Sequence, residues 1–363
     1  GTERSVRRLR HDEPLVLSAA QARLRFLDQL NPGASTYNVA GALQLSGNLD
    51  EAALAAALSS LACRHEALRT AITEIDGIAR PHIEADGALM LAVRDVTADE
   101  VDTILARESR RPFNLAMGPL ARAELLRLGP GEYVLLLVLH HIISDGWSVG
   151  ILFRELGEVY AALRLGQQPK WPPLSMRYVD FAAHPMPEVG EESAVAYWRR
   201  ALGNVAPLRL PTRGTRPLDV SDSGAEWHGR VTPDASRAVA AYGMTQGATL
   251  FMTLLATFET VLHLHSGQVC FAVGTPVANR PAACTDVVGY FVNTVAVPAE
   301  VHGHESFQAL LNRVRATVVE ALAHSAVPFD RVVNAVQQGR TLSHSPLYQV
   351  LFSVEPIRPT LSL

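Results

Sequence analysis

The run from Tyr133 to Ile143 constrains the fold more than any other stretch of the chain, because it is rich in strand-forming residues and apolar on both alternating faces. Successive side chains of a strand point to opposite faces, so a strand that is hydrophobic on both must be covered on both. A central, doubly covered strand is therefore expected here. Ser148 to Leu165 follows as an amphipathic helix, with Val149, Leu152, Phe153, Leu156, Val159, Tyr160 and Leu163 on its apolar side and Gly166 placed to end it. Between strand and helix lies the polar run His140-His141-Ile142-Ile143-Ser144-Asp145-Gly146. Loops of this kind hold functional groups rigidly while leaving them accessible.

The rest of the chain alternates helices with strands. Asn48 with Glu51 three residues on has the form of a helix start, and Leu54, Leu58 and Leu61 predict a helix to about Thr70. A second helix is capped by Thr249 and carries Phe251, Leu254, Leu255 and Phe258; a short strand spans Val269 to Val273; a further helix starts near Ser306. Prolines cluster at positions 169, 172, 173, 185 and 187, between Gly166 and Pro217. That texture places the crossover between two lobes there, so residues 1–170 and 171–363 are expected as separate domains. A length of 363 residues fits about two domains, and strands mixed with helices in both halves argue for an α/β (α+β) fold.

Composition narrows the function classes. A net charge of −4 gives no basis for binding nucleic acid or an anionic membrane surface. The longest strongly apolar run, Val134 to Leu139, is far short of the roughly 20 residues a membrane-spanning helix needs. Cys63, Cys270 and Cys284 are odd in number and lack CxxC spacing, which argues against a disulfide framework or a zinc site and fits a reducing cytoplasm. Gly1-Thr2 reads as a tag remnant, so the chain is expected to be a segment of a longer polypeptide.

The two histidines are the candidate chemistry. On a strand His140 and His141 point to opposite faces, so they cannot chelate one metal together, and no metal site is expected. Imidazole, with an unperturbed pKa of about 6.5, is a competent base near neutrality. Asp145 can accept backbone N–H groups or bind a cation, and Gly146 allows close backbone approach by a ligand. From these residues alone, His141 is either a hydrogen-bonded core residue or a base of unspecified reaction.

The run His140 to Gly146 resembles the HHxxxDG motif of condensation domains of nonribosomal peptide synthetases, members of the chloramphenicol-acetyltransferase-like superfamily. Six more stretches resemble the family's other motifs in order. They are Leu17 to Leu24, Arg64 to Thr70, Tyr178-Val179-Asp180-Phe181, Val288 to Thr294, His324 to Asp330, and Arg340 to Val350. Two departures stand out: His184 lies near the place of a usual Trp, and Ser325-Ala326 replace a usual Gln-Asp. The chain also ends at Leu363, several tens of residues earlier than is usual, so the second lobe is expected to be incomplete.

The resemblance implies two acetyltransferase-like lobes in a V-shaped pseudo-dimer with a central tunnel. It implies amide-bond formation between a donor aminoacyl or peptidyl thioester and the α-amine of an acceptor thioester. Both are tethered to the phosphopantetheine of carrier proteins, so the domain itself binds no cofactor. Carrier and adjacent adenylation domains are the implied partners of a monomeric domain. Leu27 to Gly33 and the third motif resemble the subtype joining an L-donor to an L-acceptor. The resemblance implies His141 and Gly146 as catalytic, His140, Asp145 and Arg280 as support, with Arg280 pairing Asp145 from the opposite lobe, and Asn293 as tunnel lining. Two rival readings keep the fold: a stand-alone acyltransferase making esters or amides from coenzyme A or carrier donors, and an inactive domain that recruits partner proteins.

Overall fold

The computed structural model describes residues 7–10, 12–184, 191–212, 214, 224–336 and 346–355. Both chain ends, Pro185, Pro187 and the first part of the seventh motif, Arg340 to Ser345, lie outside the described residues. The chain divides into two compact units. Of the described residues, the first takes those from 7 to 184 together with Arg280–Phe291, and the second takes those from 191 to 279 together with those from 292 to 355. The division thus falls near 185 where the proline texture suggested 170, and the segment 280–291, expected in the second lobe, groups with the first unit.

In the first unit the order is α1 (Ala19–Leu30), β1 (Asn38–Ser46), α2 (Glu51–Arg64), β2 (Thr70–Ile75) and β3 (Ile78–Ile83). There follow β4 (Leu91–Asp95), α3 (Ala98–Arg110), β5 (Ala121–Gly129), β6 (Glu132–His140), α4 (Gly146–Arg164) and the short α5 (Tyr178–Ala182). A four-stranded sheet has the order β1-β6-β5-β4, and β2 pairs with β3 separately. β6 lies between antiparallel neighbours, with Leu139 opposite Val39 on one side and Ala121 on the other. Leu135 to Leu139 are all buried, as a strand covered on both faces requires.

Local rules account for where the elements start. α2 is capped by Asp50, whose carboxylate accepts from the Ala53 N–H; the expected cap, Asn48, lies two residues too early. α2 also stops at Arg64, because Glu66–Arg69 form a 3₁₀ turn that leads straight into β2. The end of this helix is tied to α4 by buried charge. Glu155 of α4 accepts from Arg64 Nε at 3.0 Å and lies 2.8 Å from His65 Nε2. Burial works to raise Glu155, but the His65 and Arg64 contacts outweigh it and hold the carboxyl below its ordinary range.

The second unit contains α6 (Glu191–Leu202), α7 (Pro233–Thr245), α8 (Leu250–Ser266), β7 (Cys270–Ala278), β8 (Val292–Glu300), α9 (Phe307–Ala323) and α10 (Phe329–Val336). Thr249 caps α8 and Ser306 caps α9, each accepting the N–H three residues on. β7 runs on through Gly274-Thr275-Pro276, five residues beyond the expected Val273, because β8 pairs with it along its whole length. Phe271, Leu255, Leu311 and Trp198 form the centre of its core. Among the described residues no single helix is long and apolar enough to cross a membrane.

Glu259 of α8 is buried in this unit, its Oε2 without a partner, and burial lifts its carboxyl to about 8. An unfolded Glu releases its proton near 4.3, so between about pH 4.3 and pH 8 the native state holds a proton that the unfolded state has lost. Stability therefore falls as pH rises through that window. Glu259→Gln, which keeps the shape of the neutral acid, is expected to be more stable than the parent by on the order of 4–5 kcal/mol at about pH 8, and by on the order of 1 kcal/mol at about pH 5. Urea unfolding at the two pH values checks this; a gain independent of pH contradicts a buried, protonated Glu259.

Candidate active site

The candidate site is built where β6 gives way to α4, entirely within the first unit. β6 ends at His140, and His141 opens a 3₁₀ turn, His141–Ile143, where the sequence had suggested a strand continuing to Ile143. The two histidines are nonetheless set apart. His140 is buried at 3% exposure between the rings of Tyr37 and Phe113. Its Nδ1 accepts from the Ile142 N–H at 3.1 Å, so the proton of this ring sits on Nε2. Burial, and then the neighbouring His141, lower its pKa to about 4, and it is neutral at pH 7.

His141 has the opposite tautomer. Its Nδ1 lies 2.7 Å from the Ser144 carbonyl oxygen, which can only accept, so Nδ1 carries the hydrogen and Nε2 of the neutral ring carries the lone pair. The backbone N–H of His141 donates to the Tyr37 carbonyl at 2.8 Å, anchoring the turn to the segment before β1. The side chain is half-buried, and its ring meets that of Tyr290 edge-on at 4.9 Å.

Asp145 caps α4 and is 1% exposed. Its Oδ1 accepts from the Ser148 N–H at 2.8 Å and lies 2.7 Å from the Ser148 hydroxyl. Arg280 donates to both carboxylate oxygens, at 3.0 and 3.2 Å, and the Phe291 N–H donates to Oδ2 at 3.0 Å. Both oxygens of this carboxylate are thus engaged by protein donors. The Arg280 side chain is itself only 5% exposed, and it donates to the carbonyls of Cys284 and Val287 while its guanidinium lies 3.9 Å over the Phe291 ring. Burial lowers the Arg280 pKa, and the Asp145 carboxylate works against that shift.

Gly146 begins α4, is exposed, and a Cβ built there would meet nothing within 4 Å. Its bare backbone leaves open space beside the turn that carries His141. Asn293 lies in the second unit, on β8, where its Nδ2 donates at 2.7 Å to the carbonyls of Ser325 and Val327 and its Oδ1 accepts from the Phe329 N–H. Asn293 thus braces the turn His324 to Asp330, with its amide taken up by backbone on all sides.

Several supporting residues carry no individual signal in the sequence. Ser148 is fully buried, and its hydroxyl accepts from Arg280 at 3.0 Å and from the Gly289 N–H at 3.0 Å while lying 2.8 Å from the Gly289 carbonyl. Tyr178 donates to the Tyr290 carbonyl at 2.7 Å, which leaves the Ser18 hydroxyl to donate to Tyr178 at 2.9 Å. Gln21 donates to the Ile142 carbonyl at 3.0 Å. His184, near the place of the usual Trp and so already noted in the sequence, donates from Nδ1 to the Asp180 carbonyl at 2.6 Å. For Gln21 and Tyr178, membership of the resembling stretches is the sole sequence cue; Ser148, two residues past the motif run, has none.

The mixed α/β architecture is that of the chloramphenicol-acetyltransferase-like class. It superposes on the first condensation domain of the CDA synthetase with a TM-score of 0.77 at 22% identity, covering 96% of this chain and 84% of that one. The condensation-domain family model matches residues 12–360, and the chain belongs to that family. It is 40% identical over 356 residues to one of the linear gramicidin synthase proteins of Brevibacillus parabrevis, covering 95% of this chain and 5% of that protein. The chain therefore spans about one-twentieth of that relative's length. The X-domain from teicoplanin biosynthesis, solved in complex with OxyB, superposes with a TM-score of 0.86 at 26% identity, covering 97% of this chain and 79% of that one. Condensation domains of nonribosomal peptide synthetases are acyltransferases that form amide bonds.

Two residues of the site have measurable consequences for stability. Removing one partner of a buried pair commonly costs about 3–5 kcal/mol, so Asp145→Ala is expected to lose about that much stability or to fail to fold, as read by denaturant unfolding. A fully stable but inactive Asp145→Ala would give Asp145 a direct part in the chemistry. The depressed His140 pKa makes the unfolded state bind a proton near 6.5 that the native state refuses until about 4. Stability present above about pH 6.5 is lost as pH falls towards about pH 4, by on the order of 3 kcal/mol, and His140→Asn should remove this acid limb from the unfolding free energy.

Proposed function

We propose that this domain forms an amide bond between a donor acyl thioester and the α-amine of an acceptor, with His141 receiving the amine's proton. The observation that carries the reading is the bond between His141 Nδ1 and the Ser144 carbonyl, which leaves Nε2 as the free acceptor of a half-buried ring. An α-amine has a pKa of about 7.7–8.0, so near neutrality part of it is already the neutral nucleophile and the rest releases its proton to solvent before attack. The amine attacks the thioester carbonyl, and a tetrahedral intermediate forms. His141 Nε2 takes a proton from nitrogen; the carbon–sulfur bond then breaks, and that proton passes to the departing thiolate. Asp145, Arg280 and His140 hold the turn that presents the ring, and Gly146 keeps space open beside it.

The substrates are proposed to be tethered to phosphopantetheine on donor and acceptor carrier proteins, with adenylation domains as neighbours in the same assembly line. Membership of the family and identity to a gramicidin synthase protein support this. The sequence of Leu27 to Gly33 and of the third motif supports an L-donor and an L-acceptor. The protein is proposed to work in the cytoplasm. One observation favours recruitment as the second reading, namely the X-domain solved with OxyB. The intact His140 to Gly146 run favours catalysis over it.

His141→Ala is expected to lower single-turnover condensation at least about 100-fold, the lower bound for a proton-transfer role, with folding intact. The measurement is transfer between defined donor and acceptor carrier proteins, followed by intact-protein mass spectrometry. Faster transfer from a coenzyme A donor would identify a stand-alone acyltransferase, and no transfer from any donor would leave recruitment.

A further inference from the structure

The ring of Tyr290 lies against that of His141, with centroids 4.9 Å apart and planes at 61°. It is held there by ties at three successive residues. The Gly289 N–H donates to Ser148 at 3.0 Å, the Tyr290 carbonyl accepts from Tyr178 at 2.7 Å, and the Phe291 N–H donates to Asp145 at 3.0 Å. Gly289 also has no room for a side chain, since a Cβ there would fall 2.0 Å from the Tyr178 ring. Backbone at Tyr290 therefore cannot shift without breaking bonds to the residues that start α4. Its ring is the group that this framework delivers to the imidazole.

His141 needs such a neighbour. The Ser144 carbonyl is the one side-chain hydrogen bond described for its ring, and it restrains a single edge. Rotation about the Cβ–Cγ bond would exchange Nδ1 for carbon at that carbonyl and turn Nε2 away. We propose that Tyr290 is the positioning residue of His141: its ring fixes the imidazole against the Ser144 carbonyl, so that Nε2 stays presented to the acceptor amine. This rests on the reading of His141 as the proton acceptor.

An edge-on aromatic contact of this type is worth a factor of about 2–10. Tyr290→Leu, which keeps bulk without a ring, is expected to lower the single-turnover rate by about that factor, with the KM for the acceptor carrier little changed. Tyr290→Phe is expected to recover most of the loss. The ¹⁵N resonances of the His141 imidazole provide a readout that loss of general stability does not move. They should report the Nδ1–H tautomer in the parent and in Tyr290→Phe, and mixed tautomers in Tyr290→Leu. An unchanged rate in Tyr290→Leu, or an equal loss in Phe and Leu with the tautomer intact, overturns the assignment. His141→Ala run in parallel separates the two ideas. If that variant stays active the parent reading falls, whereas an inactive His141→Ala beside a parent-like Tyr290→Leu removes Tyr290 alone.

Discussion

The buried carboxylate of Asp145 is the interaction on which the rest of the site depends. An ionised group moved out of water is costly unless it is paired and hydrogen-bonded. Here Arg280, the Ser148 N–H and hydroxyl, and the Phe291 N–H meet that demand together. Satisfying one carboxylate thus starts α4, orders the segment 280–291, and closes the end of the turn that carries His141. Arg280 in turn holds the carbonyls of Cys284 and Val287, so the loop is folded around the charge it neutralises.

Around this centre, other polar groups are buried for the same reason and each finds a partner on another element. Gln21 of α1 reaches the Ile142 carbonyl, Tyr178 of α5 reaches the Tyr290 carbonyl, and Glu155 of α4 gathers Arg64 and His65. Buried polar atoms in a folded protein are nearly always paired, and substitution of one leaves the other orphaned. Motifs far apart in the chain therefore behave as a single structural unit in space.

The adjacent histidines show how small differences in partner divide two identical side chains. His140 accepts a backbone N–H and is buried between aromatic rings, which makes it neutral and inert. His141 donates to a carbonyl and stays half-buried, which leaves its Nε2 available. Strand alternation was expected to separate the two rings, but the separation comes about through a 3₁₀ turn that begins at His141, one residue beyond the end of β6.

The amino-acid sequence by itself determined the doubly covered strand, the helix after it, the cap at Thr249, the helix start near Ser306, and the run that places His141 at a strand end. These are local matters, set by side-chain period and by hydrogen bonds three residues apart. It misplaced the helix cap at Asn48 and the end of β7, because a choice between nearby polar residues and a pairing partner 20 or so residues away are decided by packing. The division between units was beyond it for a stronger reason. Segment 280–291 groups with residues that precede it by more than 90 positions, through Asp145, Ser148 and Tyr178. No periodicity or spacing records such a contact. The family resemblance had already paired Arg280 with Asp145, but tertiary structure alone decided that the Phe291 N–H would join them, that Asn293 would brace the turn at Ser325, and that Tyr290 would rest on His141. Those outcomes follow from the requirement that buried charge and buried backbone find partners wherever the fold brings them.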